Sequence, residues 1–186
     1  MELFTNGFGL SAVVFFPLIS AFVITLIPKA QEQLIKRFAL ASSLITFVLS
    51  AILLFQFDFS SAEKLQLGNK ISWIKSINAN YEIGIDGISL PLLVLSTFIT
   101  VLAIIYSLEH LPEPKSPKGF LALILVLETG MNGTFVALDL ILFFVFFEIV
   151  LLPMYFMIGI WGDKTVRTVS GLSLIHISEP TRLRRI

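Results

Sequence analysis

Cysteine is absent from the 186 residues, which excludes disulfides, thiolate chemistry and Cys-ligated iron–sulfur clusters on this chain. Histidine is almost absent. His110 and His176 both fall outside the apolar runs, so a haem held between two histidines within a membrane is excluded too. Charge is sparse, at 14% of residues against 56% hydrophobic, and the formal net charge is zero, which leaves no electrostatic footprint for nucleic acid. A positive leader is also missing, because residues 1–8, MELFTNGF, carry Glu2 and no Lys or Arg. They read as a short external start before a first membrane span.

Long apolar runs are what the chain does have, with charges falling between them, and no soluble class has that pattern. Five runs are long enough to cross a hydrocarbon core: roughly Gly9–Pro28, Phe38–Phe55, Gly87–Leu108, Phe120–Leu138 and Leu140–Trp161. The expectation is an all-α transmembrane protein with five membrane-spanning helices over 9–162, followed by a cytoplasmic tail, 163–186. Pro17 lies inside the first span, where a neighbouring helix is expected to satisfy the carbonyl that it frees.

The connections set the orientation. Lys29, Lys36, Arg37, Lys115, Lys118, Lys164 and Arg167 fall on one side by alternation, and only Lys64, Lys70 and Lys75 on the other. Positive residues stay in the cytoplasm, so the N-terminus is expected outside. The longer outer connection, 56–86, contains LQLGNKISWI, whose apolar residues around Gly68-Asn69 suggest a short hairpin over the membrane surface. An irregular capping loop is the alternative. Trp73 and Tyr81 are placed to sit at the interface.

Polar residues inside the spans mark the candidate site. Ser89, Ser96, Thr100 and Ser107 share one face of the third span, as a packing contact or a hydrated path. The fourth span has a small-residue face, Gly130, Gly133 and Ala137, together with a buried acid, Glu128, one turn from Asn132. The fifth span, 22 residues long, has Glu148 near mid-height and Pro153 five residues on. That proline costs the carbonyl of Ile149 its helical partner, so the helix is weakest next to its charge. Glu148, Leu152, Tyr155 and Gly159 share a face that must look toward protein or water. A carboxylate in such a place can take up and release a proton when a cation approaches and withdraws. No Lys or Arg lies in the interior of any span, so that cation must come from elsewhere. The competing reading is a neutral Glu148 that hydrogen-bonds a neighbouring helix. Asp86 reads as a helix N-cap and Asp139 as a turn acid.

Three stretches, YEIGIDGISLPLLVL, LETGMNGTFVALDLILFFVFFE and LLPMYFMIGIWG, stand in this order in the chain. Together they resemble the chain M type of antiporter-like membrane subunit of proton-pumping NADH–quinone oxidoreductase, respiratory complex I. The same superfamily includes subunits of multi-component sodium/proton antiporters. The resemblance covers about residues 10–165. It implies a subunit of 14 helices with an inverted-repeat core, in a bacterial inner membrane, surrounded by other membrane subunits. It also implies that Glu148 is the proton-relay glutamate of the fifth helix, paired in the family with a lysine on the seventh; Glu128 stays a weaker candidate on its own burial alone. No cofactor is expected on this chain; NADH, FMN, iron–sulfur clusters and quinone belong to other subunits. The family pattern stops near WGDKTVRT, and SLIHISEPTRLRRI has no counterpart in it. The expectation is an N-terminal fragment, inactive alone, with residues from about 170 non-native. A non-catalytic membrane scaffold is the remaining alternative.

Overall fold

The computed structural model describes residues 8–61, 64–75, 79–111 and 117–162. Five helices are long and apolar enough to cross a membrane: α1 (Phe8–Leu26), α2 (Glu32–Gln56), α3 (Ser89–Glu109), α4 (Pro117–Val136) and α5 (Leu140–Trp161). A two-stranded sheet, β1 (Gln66–Ile74) and β2 (Ala79–Ile85), lies between α2 and α3. The expected spans are all present. The tail 163–186 lies outside the described residues.

The helix limits show which local forces act at each end. Helix α2 begins at Glu32, six residues before the apolar run, because an acid in the first turn complements the helix dipole and Lys36 and Arg37 are good helix formers. The Lys36 ammonium donates to the Leu108 carbonyl at the end of α3, at 3.2 Å. Lys118, at the start of α4, does the same for Ile27 beyond the end of α1, at 2.7 Å. Both lysines neutralise carbonyls that a helix end leaves without intrahelical donors. At the opposite face, Asp86 Oδ1 accepts from the amides of Ile88 and Ser89. Ser89 Oγ in turn accepts from the Asp86 amide, which makes a reciprocal cap for α3.

The outer connection is a hairpin, but its turn is elsewhere than the Gly68-Asn69 pair suggests. Strands β1 and β2 run antiparallel with Asn69 opposite Ile83 and Ile71 opposite Tyr81, so Gly68-Asn69 lies within β1 and not at the turn. Gly68 sits instead at a register irregularity between Gln66 and Asn69, next to Leu67, whose φ of 53° is left-handed. A side chain at Gly68 would come within 3.0 Å of the Ile83 carbonyl. The glycine serves a bulge, where an extra residue bends the strand. Tyr81 of the hairpin also makes contacts of its own with the bundle. Its ring packs against Phe15 and its hydroxyl hydrogen-bonds Ser11 Oγ at 3.0 Å, which ties the hairpin to α1. Burial pushes the Tyr81 phenol above its ordinary pKa. Trp73 remains 52% exposed, as an interfacial residue would be.

Helices α1 to α4 form a bundle whose apolar core is split in two. One cluster lies toward the hairpin and joins Leu10, Val13, Leu53, Leu90, Leu93 and Val136. The other lies toward the lysine caps and joins Ile24, Ile35, Ala39, Ile104, Leu121 and Leu125. Between them each helix turns a buried polar face inward: Ser20 on α1, Ser42 to Ser50 on α2, Ser96 to Thr100 on α3, and Glu128 to Asn132 on α4. Helix α4 is central, touching α1, α2, α3, α5 and β2. Helix α5 lies outside the bundle against α4, and only Leu142, Phe146 and Pro153 of its residues are buried.

Candidate functional site

Helix α5 is placed by its two ends and by the glycines opposite it. Asp139 Oδ1 accepts from the amides of Ile141 and Leu142 and caps the helix. Its other oxygen accepts from the Asn80 amide of β2 at 3.0 Å. This residue, read from sequence as a turn acid, therefore fastens the hairpin to the α4–α5 connection. The Leu138 amide adds a bond to the Glu82 carbonyl. These amides hold the Asp139 carboxyl below its usual pKa, with Asn80 the largest contribution. Trp161, at the far end, packs edge-on against Phe120 of α4.

Between these ends the backbones come close because α4 carries glycine where α5 crosses it. A Cβ at Gly133 would overlap the Phe146 ring, and one at Gly130 would lie 2.9 Å from the Val150 amide nitrogen. The small-residue face read from sequence is thus the α4–α5 contact, and it turns α5 so that Glu148 points away from the bundle.

Glu148 is exposed on the outer side of α5. Leu152 and Tyr155, on the same face, are 57% and 44% exposed, and a Cβ at Gly159 would meet nothing within 4 Å. Among the described residues no cation pairs with Glu148. The one ion pair found there joins Lys70 to Glu82 on the hairpin, at 2.7 Å. The face is what a proton-carrying carboxylate requires of its own helix, a position at membrane depth that another charged element can reach.

Glu128 is different. It is 0% exposed, on the bundle side of α4, and neither carboxyl oxygen has a hydrogen-bond partner among the described residues. Asn132, one turn on, donates from Nδ2 to the Val13 carbonyl at 3.5 Å. Val13 is four residues before Pro17, so this is the carbonyl that the proline deprives of a helical donor. The expectation for Pro17 is met by a residue that sequence reading placed beside Glu128 for another reason. The two acids are not brought together: one faces the bundle interior, the other looks out. Among the described residues no group of three or more His, Cys, Asp or Glu could hold a metal.

Comparisons with known proteins agree on the family. A family profile described as NADH-ubiquinone oxidoreductase chain 4, amino terminus, matches residues 13–134. One described as NADH:quinone oxidoreductase/Mrp antiporter, TM, matches residues 137–179. The chain is 38% identical over 157 residues to NADH-ubiquinone oxidoreductase chain 4 of Arabidopsis thaliana, covering 84% of this chain and 31% of that one. It is 40% identical over 169 residues to NAD(P)H-quinone oxidoreductase chain 4 of Prochlorococcus marinus strain AS9601, covering 90% and 31%. The chain thus spans about a third of the length of the curated relatives it matches. Among solved structures, a chain of the membrane-bound sulfane sulfur reductase, an archaeal respiratory membrane complex, shares the fold. The TM-score is 0.69 over 90% of this chain and 33% of that one, at 19% identity.

Proposed function

Because the chain belongs to the family of NADH-ubiquinone oxidoreductase chain 4, we propose that it works in the membrane arm of a proton-pumping NADH–quinone oxidoreductase. In this reading it is the first five-helix part of an antiporter-like subunit, and Glu148 is a proton-relay acid. The observation that carries the reading is the outer face of α5. A single carboxylate sits at membrane depth on a face that the rest of the described chain leaves uncovered, with no cation of its own. A lysine-bearing helix seated on that face would complete a pair whose proton moves when the cation moves. Redox chemistry belongs to other subunits, and the partners are neighbouring membrane subunits. The membrane is an energy-coupling one, such as a bacterial inner membrane, with the N-terminus outside.

The test is Glu148→Gln in membranes containing the assembled oxidoreductase. The amide keeps the shape of the side chain and removes its titration. NADH-driven proton translocation is expected to fall about tenfold or more, the scale of losing a positioned acid–base group, with assembly intact on native gels. Unchanged translocation would favour the scaffold reading. The second family profile covers antiporter subunits as well, and that specific match favours one further reading, a sodium/proton antiporter subunit. Glu148-dependent exchange of sodium for protons, with no NADH-oxidising partner co-purifying, would select it.

A further inference from the structure

The polar layer that divides the bundle core plays no part in the Glu148 face, and it carries its own unsatisfied chemistry. Most of its hydroxyls are consumed locally. Thr46 bonds the Ser42 carbonyl, Thr100 the Ser96 carbonyl and Thr129 the Leu125 carbonyl, while Ser50 and Thr97 bond each other across α2 and α3 at 2.8 Å. What remains without a partner is a specific set: Ser42 Oγ on α2, Ser96 Oγ on α3, and both Glu128 oxygens and Asn132 Oδ1 on α4. All of these residues are at least nine-tenths buried. Each falls in its helix between the residues of the two apolar clusters. Ser42 and Glu128 each lie three residues from the cluster at the lysine end, whereas Ser96 lies beside the Ser50–Thr97 contact, about 12 Å further along the bundle, so the set is spread through the layer. Buried polar groups left unpaired by the chain are the ordinary setting for internal water.

The donor and acceptor inventory then separates two states of Glu128. As an acid it has one O–H to give, and Asn132 Oδ1 is the free acceptor one turn along the same face. That oxygen is free because the amide nitrogen is committed to Val13. As a carboxylate it only accepts, and the uncommitted hydroxyls of the layer, Ser42 and Ser96, can reach it only through water. Among the described residues no cation lies beside it. Helix α1 has no titratable side chain; on α2 Glu32, Lys36 and Arg37 cluster at one end, and on α3 Tyr106 and Glu109 do the same. Glu148 and Tyr155 of α5 face outward, and Tyr81 and Glu82 belong to the hairpin. We propose that this layer is a hydrated proton-binding site inside the α1–α4 bundle, separate from the Glu148 face, with Glu128 as the group that takes the proton and Asn132 as its partner when protonated.

Infrared spectroscopy of the full chain in lipid bilayers, titrated from alkaline to acid buffer in H2O and in D2O, tests this directly. The difference between the unaltered chain and Glu128→Gln should contain one carboxylic C=O band that grows with acid and moves down in D2O within the time of buffer exchange. Glu148→Gln should leave that band in place, whatever it does to proton pumping, so the two proposals can fail separately. Asn132→Leu should move the band up by removing its hydrogen-bond acceptor. This variant retains Glu128 and so reads the same group should Glu128→Gln not insert. The proposal is overturned by a difference spectrum without such a band, or by a band that does not respond to D2O, which would mark a sealed structural acid. A band abolished by sodium ions at constant pH would overturn it as well, by putting a metal cation where the proton is assigned.

Discussion

At the scale of single residues, the defects in the spans come in compensating sets. Pro17 removes a donor from the Val13 carbonyl and Asn132 supplies one from another helix. If that is the main structural role of the Asn132 amide nitrogen, its value depends on the proline. Asn132→Ala should destabilise the bundle by about 0.6 kcal/mol, the average for an interhelical hydrogen bond in a membrane. In a Pro17→Ala background, where the helix regains a backbone N–H that can bond the Val13 carbonyl, the same change should cost less. A double-mutant cycle on unfolding in mixed detergent measures the difference, and equal costs in both backgrounds would show that the pairing is incidental. The aspartate caps give a second test. Amide hydrogen bonds, those from Ser89 and Ile88 foremost, lower the pKa of Asp86, as those from Asn80 and the α5 amides lower that of Asp139. A carboxyl whose folded pKa is depressed stabilises the fold fully above its unfolded value, about 3.9, and loses that contribution as pH falls through the folded value. The protection of the Asn80 amide, taken against its intrinsic exchange rate at each pH, should therefore fall in acid buffer below that range, and Asp139→Asn should remove most of that fall. Asp86→Ala should cost about 1 kcal/mol as a lost N-cap.

At the scale of elements, legibility follows the strength of the local signal. All five helices are readable because each apolar run exceeds the length needed to span, and α5 has the limits that the sequence suggests. Helix α2 reads short in the sequence because its first turn is polar. The hairpin reads with its turn misplaced, since Gly68-Asn69 has turn chemistry but the bulge at Leu67 uses it. β2 has strand-like alternation only in part, and its inner residues Ile83 and Ile85 are buried by contacts that sequence does not contain. The same limit applies to the site. Two acids on two apolar helices look alike along the chain, and only packing shows that Glu128 faces the bundle interior and Glu148 faces out. That packing rests on α4 glycines, so it can be perturbed. Gly130→Ala puts a methyl 2.9 Å from the Val150 amide nitrogen and 3.1 Å from the Phe146 carbonyl, backbone atoms that cannot turn aside. Gly133→Ala meets the Phe146 ring, which can be trimmed. Both should destabilise the α4–α5 contact by about 1–3 kcal/mol. Phe146→Ala should recover much of the loss for Gly133→Ala and little for Gly130→Ala, read as the detergent concentration at half-unfolding. Equal recovery in both would mean that the backbones are not in the close contact described.

At the scale of the whole molecule, one end of the bundle carries the lysine caps and the other the hairpin, and the direction of any proton movement depends on which end faces which compartment. Lys36 and Lys118 bond helix ends at the first; Asp86, Asp139 and the β-strands occupy the second. The excess of basic residues at the lysine end favours the cytoplasm for it. The absence of cysteine makes this simple to test, because each engineered thiol is the only one present. Ala30→Cys, on the short α1–α2 connection, and Ser72→Cys, on β1, both replace exposed residues. A membrane-impermeant maleimide should label Ser72→Cys in right-side-out vesicles and Ala30→Cys only in inverted ones. Glu148 is eight residues along α5 from its hairpin end, about 12 Å by helical rise, so it lies nearer to that surface than to the lysine end of the same helix. With the expected labelling, the relay proposed for Glu148 would release a proton by the shorter way to the outside. The reverse labelling would place the same carboxylate nearer the cytoplasm, and the proposed relay would then take up a proton there rather than release it.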